Sequence, residues 1–405
     1  MPALSKKIKE LKKYNEERKA EAKGRIVDVT RFVFSSFLFS MEFSSAAGFT
    51  LMNDIDPPSE SEFYKAEKNV VKTLLDLAHD EVNKNLQELQ EGSIIAIDGS
   101  WGTRRNSRTF ILDAIDVSTQ KIVSFILEDK GDDLHPYKGA SNMMEASAFR
   151  KMARILKDSG KIRAIVKDGD TKLMNIAKEI AWNVTFIQDP QHLKKNFGVL
   201  FTKYNKLAGG KLKGLKEKII NHINYVLYSE KTPDEKRTMF MNIIQHFTGN
   251  HVNCAHDAVK GTRCKIIKDS KIINLLKQLI QEVAKSFGDF DPKLTTNYNE
   301  NFHSVKARYL TKVLHLGYSW KGRIAAAILQ YNDKYNWISK AYNALHLPPL
   351  SATCALKFLK LIHHSLQRMK ANKAKRSTKE AKEKRREEQI RTIKLETTKN
   401  PEAHI

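Results

Sequence analysis

Three acidic residues of this chain have the chemistry to share divalent metal ions. Asp98 and Asp168 each follow a short apolar run that suits a buried strand, and Glu300 lies in the polar segment 297–304. If the two strands are parallel neighbours, the two Asp carboxylates lie close together and repel each other unless a cation joins them. Mg²⁺ prefers such oxygen ligands and keeps waters that a phosphate can replace. Three acids around two metal ions would activate a water or hydroxyl and stabilise the leaving oxygen of a phosphodiester.

Each acid also has a structural interpretation. Asp98 could simply end a strand, and Glu300 could be a first-turn helix acid. Asp170 competes with Asp168 for the second position. We favour Asp168 because it directly follows the strand, whereas Asp170 is well placed to cap the helix that comes next.

A group of histidines and cysteines has a spacing that suits zinc. Two residues separate His251 from Cys254, and nine separate Cys254 from Cys264, with His256 among them. With His246 nearby, these side chains could supply three or four zinc ligands. The group has no Cys-x-x-Cys pair, and buried cysteines with loop histidines explain the same residues, so both interpretations stay open.

Lysines are concentrated directly after His192. They are Lys194, Lys195, Lys203, Lys206, Lys211, Lys213, Lys216 and Lys218. Such cations could follow a duplex backbone and contact its phosphates without reading the base sequence, and a solvated lysine face is the alternative. The whole chain has 70 Lys and Arg against 46 Asp and Glu, a formal charge of +24. This excess favours nucleic acid as the partner.

The composition predicts a soluble intracellular protein of more than one domain. Its 405 residues exceed one ordinary domain, and 41% hydrophobic residues suffice for a substantial core. No apolar run approaches the roughly 18 residues of a membrane span, and the lysine-rich start lacks the apolar segment of a secretion signal. Three cysteines are too few, and odd in number, for a disulfide framework, which indicates a reducing compartment.

The acids must be positioned by strands, and the region after residue 92 has the required pattern. Predicted strands cover residues 94–97, 107–117, 121–130, 162–167 and 184–188, with predicted helices over 142–159 and 172–182. The first three strands form an antiparallel meander, and each later strand follows a helix, so it can lie parallel to the first. This βββαβαβ order predicts an α/β fold with a ribonuclease H-like mixed sheet, in which the first and fourth strands are neighbours.

Helical regions are predicted around this core. Ser59 or Ser61 is expected to cap a long helix after Pro57-Pro58, and one helix is expected over 323–342. The predicted regions are a basic helical arm (1–24), a helical N-terminal region with a candidate DNA-binding role (25–92), the first part of the core (93–207), an all-helical insertion (208–296), the last core helices with the third acid (297–345), and a basic helical tail that is partly disordered (346–405).

Several motifs, in this order, resemble those of Mutator-like transposases. They are Asp98-Gly99-Ser100-Trp101, residues 139–146, residues 167–172, Asp189-Pro190-Gln191-His192 and residues 297–304. The family belongs to the ribonuclease H-fold DDE transposases, in the group with a Cys/Asp-x-x-His motif after the second catalytic Asp. The resemblance covers about residues 94–320 and is weaker upstream.

The resemblance implies roles for individual residues. Asp98, Asp168 and Glu300 would be the catalytic, metal-binding acids, with Mg²⁺ or Mn²⁺ as the cofactor. His192 would lie near the scissile phosphate, paired with Asp189 in the Asp-x-x-His motif.

Alternative interpretations remain for the Asp-x-x-His pair and for the zinc site. Many relatives have Cys in place of Asp189, so its role can be structural or metal-tuning. Asp189 is also a good N-cap before Pro190, which leaves His192 as a first-turn surface residue. Similar transposases carry Cys and His in the helical insertion, which favours Zn²⁺ at His251, Cys254, His256 and Cys264.

The activity implied by the resemblance is DNA transposition. DNA would be cut at the element ends, and the freed 3′ hydroxyl would then attack target DNA, in the nucleus. DNA is both substrate and partner, a homo-oligomer is expected, and no membrane is involved. A transposase-derived DNA-binding regulator without catalysis is an alternative, although the intact acids speak against it. A metal-dependent nuclease shares every acid.

Overall fold

The computed structural model describes most of the chain before residue 349. The described residues are 28–103, 107–132, 136–167, 171–229, 231–250, 267–284, 294–310, 317–334, 336–348 and the single positions 354, 357, 360, 364, 367, 368, 371 and 378. The chain divides into two compact units, Met1–Leu345 and His346–Ile405. In the second unit, the described positions from 354 to 371 are helical, and Cys354 is exposed.

A five-stranded mixed sheet forms the centre of the first unit, which makes the fold α/β. Its strands are β1 (Ser93–Trp101), β2 (Thr109–Asp116), β3 (Ile122–Asp129), β4 (Ile162–Lys167) and β5 (Thr185–Gln188). The strand order is β3-β2-β1-β4-β5. The β1–β2 and β2–β3 pairs are antiparallel, whereas β1–β4 and β4–β5 are parallel. The predicted meander and the predicted pairing of the first and fourth strands are therefore both present.

Thirteen α-helices are present in the described part of the first unit. They are α1 (Val29–Leu38), α2 (Phe43–Leu51), α3 (Glu60–Gln87), α4 (Met144–Asp158), α5 (Thr171–Glu179), α6 (Pro190–Leu207), α7 (Lys216–Leu227), α8 (Pro233–Met241), α9 (Ile243–Phe247), α10 (Ser270–Ala284), α11 (Asn297–Lys306), α12 (Ser319–Asp333) and α13 (Trp337–Ala344). The predicted cap of the long helix α3 is Ser59. It forms a capping box with Glu62, which satisfies backbone donors at the helix start.

Both faces of the sheet are covered, as its nearly continuous apolar strands require. On one face, Phe149, Met152 and Leu156 of α4 pack with strand residues such as Ile97 and Leu112 in one buried cluster. On the other face, α11 contacts β1 and β2, while α3 and α12 contact β3. This second face carries the polar residues described below.

A second hydrophobic core lies within the helices that follow β5. Phe197 and Phe201 of α6 are buried with residues of α7 to α10, among them Ile223 and Leu279. Helix α6 thus packs as part of the helical region.

Two predicted boundaries are wrong. Strand β1 does not end before Asp98 but continues to Trp101, because β2 pairs with it along its whole second half. The single helix predicted over 323–342 is two helices, α12 and α13. Lys334, at the C-cap of α12, has a positive φ of 56°, which an α-helix cannot contain.

In the part of the chain that the structure describes, no single helix is long and apolar enough to cross a membrane. Helices α1 and α2 reach that length and composition only as a pair, and they are bent by 110°.

Candidate active site

Asp98 lies in β1, directly opposite Asp113 of β2. Its Oδ1 accepts a hydrogen bond of 2.8 Å from the backbone N–H of Gly99. Its Oδ2 lies 3.6 Å from Nδ1 of His303, and the side chain is 35% exposed. The carboxylate is therefore held at the protein surface and stays accessible to solvent.

Asp113 is fully buried, and sequence reasoning missed it. Its Oδ2 accepts a 2.7 Å hydrogen bond from the side-chain amide of Asn299, and its Oδ1 lies 2.9 Å from Nε2 of His303. A buried carboxylate needs such donors, because an unpaired one costs several kcal/mol in apolar surroundings. The signal that could have found it is an acidic residue inside the apolar run Phe110–Ile115.

Asn299 joins helix α11 to the sheet. Besides Asp113 Oδ2, its amide nitrogen lies 3.2 Å from the carbonyl oxygen of Ala96 and 3.3 Å from that of Asp113. The side chain is fully buried, and among the described atoms its Oδ1 has no hydrogen-bond partner. Asn299 thus fixes the position of the helix turn that also carries Glu300.

Asp189 ties the start of the same helix to the end of β5. Its buried Oδ2 accepts hydrogen bonds from the backbone N–H of Thr296, at 2.9 Å, and from the Thr296 hydroxyl, at 2.6 Å. Its own backbone N–H donates to the carbonyl oxygen of Lys167, the last residue of β4. Asp189 therefore connects the edge of the sheet to α11 by direct contacts.

The rest of the Asp-x-x-His motif lies at the start of α6. Pro190 is the first residue of this helix, as expected for a proline in the N1 position. The backbone N–H of His192 donates to the carbonyl oxygen of Asp189, and the His192 side chain is half-buried.

Of the remaining predicted acids, the structure describes Glu300 but not Asp168 or Asp170. Glu300 is exposed in the first turn of α11, next to Asn299. Asp168 and Asp170 lie outside the described residues, and the three-acid site stays a prediction. In the ladder between β1 and β4, the partners Ala96 and Val166 each precede one of the predicted acids, Asp98 and Asp168, by two residues. Over the described ranges, no group of three or more His, Cys, Asp or Glu side chains is placed to hold a metal ion.

Tyr331 of α12 lies close to this polar cluster. Burial, followed by the negative charge of Asp113, raises the pKa of Tyr331 to about 12. Its hydroxyl donates to the carbonyl oxygen of Tyr298, one residue before Asn299. The phenol therefore stays protonated and adds a contact between α12 and α11.

The lysines after His192 lie along α6 and the segment that follows. Of the four predicted DNA contacts, Lys195, Lys203 and Lys206 are exposed, and Lys194 is half-buried. Two of the wider group lie near acids, Lys203 at 4.0 Å from Glu282 and Lys211 at 3.3 Å from Asp269. The predicted zinc ligands His251, Cys254, His256 and Cys264 lie outside the described residues.

Comparison with known proteins supports the resemblance seen in the sequence. Residues 134–259 match the family model of the Mutator-like transposases. This segment contains Asp168, Asp189, His192 and the lysines that follow, whereas Asp98 and Glu300 lie on either side of it. Among curated proteins, none matches the chain. The suspected family is thereby confirmed over the matched segment.

Proposed function

We propose, from the match of residues 134–259 to the Mutator-like transposases, that this chain is a DNA transposase that cuts and joins phosphodiester bonds. One observation carries the proposal beyond the family match. Two distant motifs are tied to the segment 297–304: Asp189 bonds Thr296, directly before that segment, and His303 within it lies between Asp98 and the buried Asp113. Motifs that meet across such sequence distances are expected at a site that performs chemistry.

The sheet supports a ribonuclease H-like core. An antiparallel meander of three strands, continued by two parallel strands beside the first, is the arrangement expected for that class. In such a core, Asp98 within β1 and Asp168 after the end of β4 would face one substrate.

The available donor chemistry fits a hard divalent cation. Asp98 offers a partly exposed carboxylate, and Asp168 and Glu300 would complete an oxygen ligand set of the kind that Mg²⁺ or Mn²⁺ takes. When bound, the metal ions would lower the pKa of the attacking water or hydroxyl and stabilise the leaving oxygen.

The protein's own residues would position this chemistry. Asp113 keeps the imidazole of His303 beside Asp98. Asp189 holds the start of α11, the helix that carries Glu300. His192, in the first turn of α6, would contact the scissile phosphate. Lys194, Lys195, Lys203 and Lys206 would bind neighbouring phosphates and hold the duplex across this edge of the sheet.

Transposition also implies a setting for the protein. DNA would serve as donor and as target, with both phosphoryl transfers at the same site. We place the activity in the nucleus and expect a homo-oligomer, since joining two element ends requires two sites.

The test is a cleavage and joining assay. The purified full chain is incubated with labelled fragments of the DNA that flanks its coding sequence, a target plasmid and Mg²⁺. We expect cuts at element ends and covalent transfer to the plasmid by the wild type, and neither product with Asp98→Asn. Cutting without joining would identify a nuclease, and DNA binding without cutting would identify a regulator.

A further inference from the structure

A cavity of about 430 Å³ lies between the second face of the sheet and the helices α11 and α12. Its sheet side includes Ser100 and Ile111, and its helix side includes His303, Lys306, Tyr318 and Trp320. Sites for small organic ligands have volumes of this order, whereas a DNA duplex is far too wide to enter. The size restricts the ligand to one nucleotide or a molecule of similar bulk.

The cavity adjoins the candidate active site. His303 lines it and also lies 3.6 Å from Oδ2 of Asp98. Ser100 lies two residues after Asp98 in the same strand, so the two side chains are on the same face of the sheet. A ligand in the cavity would therefore be a close neighbour of a phosphate that reacts at Asp98.

Two aromatic residues line the cavity, the exposed Tyr318 and Trp320, which is 6% exposed. The indole N–H of Trp320 donates a 2.7 Å hydrogen bond to Oδ2 of Asp129, which fixes the orientation of this ring. The Tyr318 ring lines the cavity and is 43% exposed. Nucleobases stack on such rings with little dependence on base identity.

Cations line the same cavity. Arg108, Lys306 and Lys321 contribute positive charge, and two acids, Asp129 and Asp132, are also present. Both acids contact groups of the protein, since Asp129 accepts from Trp320 and Asp132 pairs with Lys321. Lys321 Nζ also lies 5.9 Å from the centre of the Tyr318 ring. Asp132 offsets the charge of Lys321, so the exposed Arg108 is the cation most open to a phosphate, beside a Tyr318 ring that suits a base.

We propose that this cavity binds one unpaired nucleotide of the DNA, with the base against Tyr318 and Trp320 and the phosphate toward the cations. The identity of the polymer rests on the proposed function, whereas the nucleotide-sized site rests on the cavity itself. Drawing one base out of the helix next to Asp98 would hold the strand in register with the reacting phosphate. Unpaired or mispaired bases would enter most easily, because they lack the cost of unpairing.

The test measures binding without catalysis. The full chain, in EDTA, is mixed with a short duplex that has one unpaired 2-aminopurine, or with the same duplex fully paired. We expect the bulged duplex to bind about fivefold more tightly or better, as expected for one stacked base, and its fluorescence to be quenched. Tyr318→Ala should abolish both effects, and Tyr318→Phe should keep them because the ring remains.

A matched control is Tyr228→Ala, since Tyr228 is 66% exposed and is not among the residues that line the cavity. It should retain the preference for the bulge. Equal affinity of the wild type for both duplexes, no DNA binding at all, or an unchanged preference in Tyr318→Ala would overturn the proposal. The binding assay contains no metal and is therefore independent of cleavage. A chain that prefers the bulged duplex here but never cuts DNA in the Mg²⁺ assay would refute the transposase function and leave this site standing.

Discussion

His303 Nε2 lies 2.9 Å from Oδ1 of Asp113, a residue 190 positions earlier in the chain. The other nitrogen of the same ring faces Asp98 at 3.6 Å. The buried Asp113 carboxylate therefore orients the His303 imidazole, which lies beside the more exposed carboxylate of Asp98. This arrangement makes Asp113 a positioning residue for Asp98 and links the fold's stability to its site.

Asp113→Asn should destabilise the protein by about 2–3 kcal/mol, because an amide nitrogen would then face the donors of Asn299 or His303. The measurement is the shift of the denaturant midpoint. Asp158→Asn, at the exposed end of α4, is the control and should change stability little. A loss for Asp113→Asn no larger than that of the control would show that the network contributes nothing.

Thr296→Val should weaken the connection between β5 and α11. It removes the hydroxyl that donates to Asp189 but keeps the backbone hydrogen bond, so we expect a cost of about 1 kcal/mol and reduced DNA cleavage. Thr295→Val is the matched control, since the Thr295 hydroxyl accepts a long 3.4 Å bond from the backbone N–H of Asn297 and has no bond to Asp189 among the described residues. If both variants cleave DNA equally, Asp189 does not act through α11.

Asp168→Asn should abolish DNA cleavage in Mg²⁺ while DNA binding is retained or improved. The change keeps the side-chain shape but removes a charge that the metal ions would need. Asp170→Asn should leave most cleavage intact if Asp170 only caps a helix. Cleavage and binding assays on the same labelled DNA decide this, and the opposite result for the two variants would reassign the second acid.

DNA binding should depend strongly on salt, given the formal charge of +24. Each neutralised phosphate contributes a slope of about −0.9 to log affinity against log salt. Lys206→Gln should lower the steepness by about one such contact, and Lys178→Gln, exposed in the last turn of α5, should leave it unchanged. A salt-independent affinity would mean that the positive charge serves another purpose.

Glu67 should make the stability of the protein depend on pH. Burial raises the pKa of the Glu67 carboxyl from 4.5 to about 7, and the positive charge of Arg323 opposes part of this rise. The folded state thus binds the proton more tightly than the unfolded state. The stabilisation is complete below about pH 4.5 and is lost as the pH rises through 7, by about 3 kcal/mol at most.

The measurement for Glu67 is thermal unfolding between pH 5 and pH 8, compared with Glu67→Gln. The difference between the two proteins isolates this carboxyl from the histidines that titrate in the same range. Glu60→Gln, exposed in the first turn of α3, should follow the wild type. Parallel curves for the wild type and Glu67→Gln would contradict the prediction.

Local sequence determined the elements of the core. The predicted β4 agrees with the observed Ile162–Lys167, and the other strands and helices predicted between residues 93 and 188 agree within a few residues. The capping serine of α3 and the proline at the start of α6 were also predictable. These features depend on short-range periodicity, capping and proline geometry, which are properties of the chain within a few residues.

The candidate site shows where such reasoning ends. Asp98 and the segment 297–304 were identified by residue type, but His303 and Asn299 were not singled out, and Asp113 was missed. Asp189 was interpreted as an N-cap or a motif acid, and its bond to Thr296 was not foreseen.

The sequence by itself determined the α/β order, the excess positive charge and the match of residues 134–259 to the Mutator-like transposases. Only the tertiary structure decided which polar side chains meet. Pairs such as Asp189 with Thr296, 107 residues apart, form when the helical region between them has packed and returned the chain to the sheet. Their hydrogen bonds leave no periodic pattern in the sequence, because each depends on the register of one strand and the position of one helix that are set by burial of apolar surface elsewhere.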